Sequence, residues 1–315
     1  MLYQRHHAND PLTVGVSFSK EYSQELGNDW KQNFSSLLDD ASFRHFRLMS
    51  YWNELEPTPG KFNFTDLDWQ MDQAAKRGAK VTLAMGERQP RWPECRRPAW
   101  ADALPVEQKN IALNNFLTAV AEHYKNHPAL ESYQLENEVA NRLFSPHCEK
   151  FNRQKLQKEF DTIKAADASH PLILNASNQS GVPVFGPIGD IVGFSIYKKA
   201  YVKSGPFNFY WSYNYTPAIW HSYRAALTEL LHPGTKTFVH ELQAEPWGPI
   251  ATKDMSQPEQ RKSMTPEGIA ENVLYAQKTG MKTMYLWGGE WWYWQKNTNG
   301  DPSFWNTAKG LSGKR

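Results

Sequence analysis

Residues 43–85, FRHFRLMSYWNELEPTPGKFNFTDLDWQMDQAAKRGAKVTLAM, contain two short apolar runs separated by an amphipathic stretch. The runs Phe43 to Tyr51 and Ala79 to Met85 have the length and composition of buried strands. Between them, Asp66 to Arg77 has helical periodicity and stops before Gly78, a residue type that commonly follows a helix. The stretch therefore predicts a strand–helix–strand unit, the connection that joins parallel strands.

The same alternation continues along the chain. Six further strand-like runs are Leu12 to Phe18, Leu130 to Glu138, Leu172 to Ala176, Ile191 to Tyr197, Thr235 to Glu241 and Met281 to Trp287. Further helical patterns cover Pro105 to Lys125, Asn152 to Ala166, Pro217 to Leu231 and Pro266 to Lys278. Eight such units predict an α/β fold, a single (β/α)8 (TIM) barrel domain spanning residues 1–315. An open doubly wound sheet is the alternative, but no GxGxxG follows the first strand.

Charge and hydropathy exclude several classes of partner. The chain has 35 Lys and Arg against 33 Asp and Glu, without long runs of one sign, so we expect no nucleic-acid partner. We find no apolar stretch approaching 18 residues and therefore expect no membrane span. The start, MLYQRHHANDPLTVGVSF, has no apolar h-region, and we expect no signal peptide here. We also expect a monomer without a metal or cofactor.

Two carboxylates mark the ends of predicted strands. Glu138 ends the fourth run and Glu241 the seventh, so in a barrel they would face each other across the carboxyl ends of the strands. Glycoside hydrolysis uses two facing carboxyl groups, one that donates a proton to the leaving oxygen and one that attacks the anomeric carbon. Glu136 has the same strand parity as Glu138, and Glu245 is a loop alternative to Glu241, so strand periodicity leaves both choices open.

Several segments together resemble a known family. The segment from Arg47 to the helix start, Asn137-Glu138, Tyr197, Glu241 and Trp287 follow the order found in clan A of the (β/α)8 glycoside hydrolases. These are retaining enzymes that act mostly on β-linked sugars. The resemblance implies a carbohydrate substrate, with Glu138 as acid/base and Glu241 as nucleophile.

The resemblance also implies roles for the neighbours of the two carboxylates. Asn137 would bind the sugar 2-hydroxyl, Arg47 would lie against Glu241, Tyr197 would hydrogen bond Glu241, and Trp287 would form the floor under the sugar. Retention requires a carboxyl separation of about 5 to 5.5 Å. His240 could bind sugar or be a packed histidine, and its residue type leaves both open.

Aromatic residues are unusually frequent, with 13 Trp, 14 Tyr and 16 Phe. Such rings either fill the core or stack on the apolar faces of sugars. The segment KKAYVKSGPFNFYWSYNYTPAIW after strand six is so dense in rings that we expect a long loop acting as a lid or binding wall. The alternative is that rings pack loops together and only two or three touch ligand. The predicted sugar platforms are Trp92, Trp100, Tyr201, Trp211, Trp247, Trp291, Trp292 and Trp294.

The two cysteines lie in loops after adjacent strands, Cys95 after strand three and Cys148 after strand four. Both loops then share one face, which favours a disulfide over two free thiols. A disulfide would indicate an oxidising compartment, since the sequence otherwise leaves the localisation unknown.

Other functions fit the sequence less well. A non-catalytic carbohydrate-binding barrel would not need Glu138 and Glu241 together with Arg47 and Asn137. A metal-dependent barrel hydrolase would need a His-x-His on strand one, and a nucleotide-dependent barrel a glycine-rich phosphate loop.

Overall fold

The computed structural model describes residues 2–141, 148–178, 181–183 and 187–312. Its strands are β1 (Thr13–Phe18), β2 (His45–Met49), β3 (Lys80–Met85), β4 (Leu130–Leu135), β5 (Leu172–Ala176), β6 (Ile191–Ile196), β7 (Lys199–Ser204), β8 (Phe207–Ser212), β9 (Lys236–Gln243) and β10 (Thr283–Trp287). Its α-helices are α1 (Leu2–His6), α2 (Lys20–Glu25), α3 (Trp30–Asp39), α4 (Trp52–Leu55), α5 (Thr65–Lys76), α6 (Ala99–Asp102), α7 (Val106–Tyr124), α8 (Arg153–Ala166), α9 (Ala218–Leu231), α10 (Gln257–Arg261), α11 (Pro266–Gln277), α12 (Gly289–Asn297) and α13 (Ser303–Ser312).

Eight strands form a closed barrel in the order β1, β10, β9, β6, β5, β4, β3, β2. The pairing is parallel, as in the register from Thr13 opposite Thr283 to Ser17 opposite Trp287. Each barrel strand coincides with one of the eight runs predicted from the sequence, so the α/β barrel prediction is confirmed. In such a barrel all strands point the same way, and active sites are built where they end.

Contacts divide the chain into two compact units. The first unit comprises Met1–His45, Phe194–Leu227 and Phe238–Arg315, and the second comprises Phe46–Gly193 and Thr228–Thr237. Each unit has its own set of fully buried apolar side chains, such as Val16, Phe34 and Phe304 in the first and Phe46, Leu83 and Phe116 in the second. The prediction of a single domain over residues 1–315 stays a prediction.

Helix boundaries follow local capping chemistry. Helix α11 begins at Pro266, and the side chain of Thr265 before it accepts the backbone N–H of Gly268. Proline suits a first helical position because its missing N–H would have no partner inside the helix. Helix α8 begins after Asn152, whose side chain accepts two backbone N–H groups of the first turn.

The segment after β6 is a β-hairpin, and the prediction of a loop without secondary structure is wrong. Strand β7 pairs antiparallel with β8 from Lys199 opposite Ser212 to Ser204 opposite Phe207. Gly205 at the turn has a positive φ of 58°, which glycine adopts without steric cost. The alternating sequence on either side of Gly205 was the signal for two strands.

Other boundaries also differ from the sequence-based expectation. Strand β4 ends at Leu135, before the predicted end at Glu138, and β9 continues beyond Glu241 to Gln243. The tryptophan-rich segment after β10 forms helix α12. Among the described residues, no helix combines the length and apolar character needed to cross a bilayer.

Candidate active site

Three polar residues, Glu136, Asn137 and Glu138, follow β4 directly. They are buried, with 6%, 3% and 7% of their surfaces exposed. Glu136 and Glu138 have positive φ angles of 54° and 45°. Such backbone costs a non-glycine residue about 1–3 kcal/mol and persists only where the surroundings hold it, often at functional sites.

Asn175, on β5, holds this segment in place. Its Oδ1 accepts the backbone N–H of Glu138 at 2.6 Å, and its Nδ2 donates to Oδ1 of Asn137 at 3.1 Å. Nδ2 of Asn141 donates to Oε2 of Glu138 at 3.2 Å. Backbone and carboxylate of Glu138 are therefore both tied down. Sequence reasoning missed Asn175, although a polar residue in the apolar run LILNA was a visible signal.

Arg47, on β2, is fully buried beside the same segment. Its Nε donates to Oε1 of Gln134 at 2.5 Å, and its Nη2 donates to Oδ1 of Asn137 at 3.0 Å. Nε2 of Gln134 in turn donates to the backbone oxygen of Glu136 at 2.9 Å. The guanidinium thus supports the residues after β4. Its contact with Glu241, which the resemblance implies, stays a prediction.

Glu94, in the loop after β3, contacts Asn137 and was missed by sequence reasoning. Nδ2 of Asn137 donates to Oε1 of Glu94 at 3.1 Å, and Nε of Arg88 donates to Oε2 of Glu94 at 2.5 Å. The next residue, Cys95, forms a disulfide with Cys148, with the two Cα atoms 5.3 Å apart. The disulfide prediction is confirmed, and the bond ties the loop after β3 to the loop after β4.

The carboxylate of Glu136 is bound to the backbone of the loop after β3. Its Oε1 accepts the N–H of Glu87 at 2.7 Å, and its Oε2 accepts the N–H of Arg88 at 2.6 Å. Burial, and secondly the charge of Glu87, raise the pKa of Glu136 to about 7. Because both its oxygens are used to hold the loop, the arrangement favours Glu138 over Glu136 as the reacting carboxyl.

Lys155, on α8, is one of the cations of the buried acidic cluster around Glu136. Its Nζ lies 2.8 Å from Oε2 of Glu87 and 3.0 Å from Oε2 of Glu149. Burial opposes the charge of Lys155, but the carboxylates of Glu87 and Glu136 outweigh it and raise the lysine pKa above its usual range. Burial, together with the charge of Glu136, raises the pKa of Glu159 well above its usual value. Lys155 and protonation together limit the negative charge of the cluster.

In the first unit, Glu241 lies inside β9 and is 4% exposed. The hydroxyl of Tyr197, just after β6, donates to Oε2 of Glu241 at 3.0 Å, as the resemblance implies. His240 is fully buried, with Nε2 3.6 Å from Oε1 of Glu241 and 3.5 Å from Oγ of Ser195. Of the two interpretations of His240, the structure favours the packed histidine, because a fully buried ring has no surface for a sugar.

Gln243, at the end of β9, anchors the hairpin. Its Oε1 accepts the backbone N–H groups of Lys198 and Lys199 at 2.8 and 2.9 Å, and its Nε2 donates to the oxygen of Lys199. Tyr210 on β8 adds a second anchor, since its hydroxyl donates to Oε1 of Glu259 at 2.7 Å. The hairpin is therefore fixed to the strand that carries Glu241.

The predicted sugar platforms differ in their exposure. Trp92 and Trp211 are 63% and 40% exposed, whereas Trp287, at the end of β10, is 7% exposed. Trp247 and Tyr201 are half-buried, and the ring of Trp247 meets the ring of Tyr197 edge to face at 5.2 Å. Trp211 belongs to an aromatic stripe on β8 and the residues after it, in which Tyr213 is half-buried and the other rings are exposed: Phe207, Phe209, Trp211, Tyr213 and Tyr215.

Trp291 and Trp292 are fully buried, so the prediction that they serve as sugar platforms is wrong. Nε1 of Trp292 donates to the backbone oxygen of Ala244 at 2.8 Å, and its ring stacks on Phe43 at 6.2 Å. Helix α12 turns these rings into the core of the first unit. Trp294 is also buried, and Trp100 is half-buried with its Nε1 donating to the backbone oxygen of Glu56.

Comparison with known proteins supports the predicted family. The family model described as beta-galactosidase, glycoside hydrolase family 42, matches residues 21–115 and 111–170, which include Arg47 and Glu138. The chain is 34% identical over 167 residues to the beta-galactosidase Pbg of Clostridium perfringens, covering 47% of this chain and 24% of that protein. It is 27% identical over 139 residues to a beta-galactosidase of Geobacillus kaustophilus, which covers 36% of this chain and 20% of that protein. The chain spans about a quarter or less of the length of these relatives.

Solved structures share the fold at low sequence identity. Xylanase 10B from Thermotoga maritima aligns with a TM-score of 0.62 and 14% identity, over 99% of this chain and 97% of that one. A beta-galactosidase from the haloarchaeon Halorubrum lacusprofundi aligns with a TM-score of 0.62 and 14% identity, over 96% of this chain and 57% of that one. Both are evidence for the fold alone. Together with the family match, they confirm the resemblance to the clan A barrels.

Proposed function

We propose, from the (β/α)8 barrel fold and its resemblance to the clan A glycoside hydrolases, that the chain is a retaining β-glycosidase. The observation that carries the proposal is the Asn137-Glu138 pair, buried after β4 in strained backbone and fixed by Asn175 and Arg47. Glu241 on β9 supplies the second carboxyl, fixed by Tyr197. In the barrel order β9 and β4 are separated by β6 and β5, so both carboxyls belong to strands that end on the same side.

The proposed mechanism proceeds in two displacements. The ionised carboxylate of Glu241 attacks the anomeric carbon while the bond to the leaving oxygen breaks, and Glu138 gives its proton to that oxygen. Water then attacks the anomeric carbon of the glycosyl enzyme, Glu138 takes the proton of the water, and the carboxylate of Glu241 is released. Asn137 would bind the 2-hydroxyl, where contacts tighten as positive charge grows on the sugar ring. A structure with bound inhibitor should show a carboxyl separation of about 5 to 5.5 Å.

A β-galactoside is the first substrate to test, because the family model that matches residues 111–170 is described as beta-galactosidase and the similar relatives are named beta-galactosidases. Hydrolysis of an aryl β-galactoside should release the β anomer first, which proton NMR detects. Glu138→Gln should lower kcat by about 10²–10⁴-fold, and least for aryl groups that leave without protonation. Glu241→Gln should remove measurable turnover for every leaving group, because no nucleophile remains.

Glu245→Gln is the matched control, since Glu245 follows the same strand and is also buried. It should retain most activity. Turnover that survives in both the Glu138 and Glu241 variants would refute the proposal. Sugar binding without turnover in the wild type would support the second candidate, a non-catalytic carbohydrate-binding barrel. The exposed rings of Trp92 and Trp211 favour this candidate, because exposed rings can stack on sugars.

The remaining substrate contacts are proposals of the same kind. We assign Trp92, Tyr201, Trp211, Trp247 and Trp287 to sugar stacking, and expect Trp211→Ala to raise KM for oligosaccharides more than for an aryl monosaccharide. We further propose that the 315 residues act as one monomeric catalytic domain. The disulfide supports a role in an oxidising compartment.

A further inference from the structure

We propose that Glu94 is a positioning residue that fixes the side-chain amide of Asn137 and so orients its contact with the sugar 2-hydroxyl. The inference rests on the proposed function, because it concerns the same sugar site.

The orientation of the Asn137 amide follows from groups that can only donate. The backbone N–H of Glu138 must meet an oxygen, so Asn175 presents Oδ1 to it and its Nδ2 to Asn137. The Arg47 guanidinium also only donates, and it meets Asn137 at the same Oδ1. The Nδ2 of Asn137 is therefore turned away from both, toward Oε1 of Glu94 at 3.1 Å. Glu94 takes one N–H of this amide, and we assign the other to the sugar.

Glu94 is itself held rigidly. Its Oε2 accepts from Nε of Arg88, and its backbone oxygen accepts the N–H of Gln89 at 2.9 Å. Arg88 and Cys95 form an antiparallel bridge, and the disulfide to Cys148 closes the loop. The side chain of Glu94 is only 12% exposed, and a carboxylate that is largely buried needs a paired cation, which Arg88 supplies. The loop thus presents one ionised oxygen to Asn137 at a fixed place.

An ionised acceptor does more than a neutral one would. A hydrogen bond from an amide to a carboxylate is roughly twice as strong as one between neutral groups, so it restricts the amide more firmly. Glu94→Gln keeps the shape of the side chain but has a single acceptor oxygen. That oxygen can serve Arg88 or Asn137 but not both, so the neutral variant should leave the Asn137 amide free to rotate.

The test compares a β-galactoside with its 2-deoxy analogue. Glu94→Gln should lower kcat/KM for the parent substrate by about 10- to 100-fold, the loss of one charge-assisted contact. The 2-deoxy analogue should lose less than about 3-fold, since it lacks the hydroxyl that Asn137 binds. In an Asn137→Ala background, Glu94→Gln should cause no further loss of kcat/KM, because the two residues act as one unit. Thermal unfolding and thiol titration check that the variant is folded with the disulfide intact.

Glu149→Gln is the control, because Glu149 follows Cys148 on the other side of the disulfide and pairs with Lys155 instead. It should leave the ratio of the two substrates unchanged. Equal losses on both substrates, additivity with Asn137→Ala, or full activity in Glu94→Gln would each overturn the role of Glu94. Those outcomes leave the proposed function standing as long as turnover still depends on Glu138 and Glu241, so the two failures are distinguishable.

Discussion

Oδ1 of Asn175 accepts the backbone N–H of Glu138 at 2.6 Å, although Asn175 lies on β5, Glu138 follows β4, and the two are 37 positions apart. This bond holds the backbone of Glu138 at a φ of 45°, a value that residues other than glycine rarely adopt. The same amide reaches Asn137 through its nitrogen. One side chain on β5 therefore sets the geometry of both residues proposed to act on the sugar.

Asn175→Ala should lower kcat/KM by about 10- to 100-fold, since it removes two hydrogen bonds from the Asn137-Glu138 segment. Kinetics on an aryl β-galactoside would measure the loss. Asn297→Ala, which removes an exposed amide on α12, is the control and should leave kcat/KM unchanged. Equal activity in both variants would show that Asn175 does not position Glu138.

Gly86→Ala should lower the free energy of unfolding by about 2–4 kcal/mol. Gly86 has a φ of 126°, and a Cβ there would lie 2.5 Å from Oε1 of Glu136. Gly78→Ala is the matched control, because Gly78 has a φ of 64° with nothing within 4 Å of the added carbon. It should cost about 1 kcal/mol. Urea denaturation measures both, and equal losses would contradict a steric role for Gly86.

Stability should fall as pH rises from about 4.3 to about 7, through the titration of Glu136. Burial and the charge of Glu87 raise the pKa of Glu136 to about 7 in the folded protein, so the folded state binds this proton more tightly than the unfolded chain. The contribution is fully present below the unfolded pKa and lost above the folded one.

Glu136→Gln isolates this effect. Urea unfolding at pH 4 and pH 8 should show a smaller fall in stability with pH for the variant than for the wild type. Glu107→Gln, at an exposed position on α7, should leave the wild-type difference unchanged. A variant that keeps the full pH dependence would show that another group carries it.

Removal of the disulfide by Cys95→Ser with Cys148→Ser should lower the free energy of unfolding by about 4 kcal/mol, from the entropy of closing a loop across 53 residues. Thermal unfolding with and without reductant measures the difference. The wild type should lose stability when reduced, whereas the double variant should be indifferent to reductant. A wild type that is equally stable when reduced would contradict the estimate.

The barrel could be predicted from the sequence because the strand periodicity and the helix stops are local signals. Phe43 to Tyr51 and Ala79 to Met85 could be recognised as strands without knowing their neighbours. The hairpin was missed because its ring-rich sequence was interpreted as a binding loop, although the residues beside Gly205 alternate as strands do.

The site could be predicted only in part. Glu138 and Glu241 were named because charged residues at the ends of apolar strands stand out, and Arg47 was named because of the resemblance to the clan A barrels. The positive φ of Glu138 and its bond to Asn175 depend on strand pairing, which no local pattern encodes. Glu94 lies in a loop whose path is set by the disulfide and Arg88, so its contact with Asn137 needed coordinates. Trp292 was wrongly placed because composition does not tell an inward ring from an outward one.

The hairpin of β7 and β8 makes its ladder of hydrogen bonds within itself, and the side chain of Gln243 joins it to β9. Its exposed rings therefore lie on a separate hairpin, and we expect that the turn of this hairpin can be exchanged without changing the sequence of the parallel strands. Grafting a different turn and ring pattern between Lys199 and Ser212 should redirect glycan preference while the melting temperature stays nearly constant. We therefore expect selection and protein engineering to change the proposed sugar preference at this hairpin.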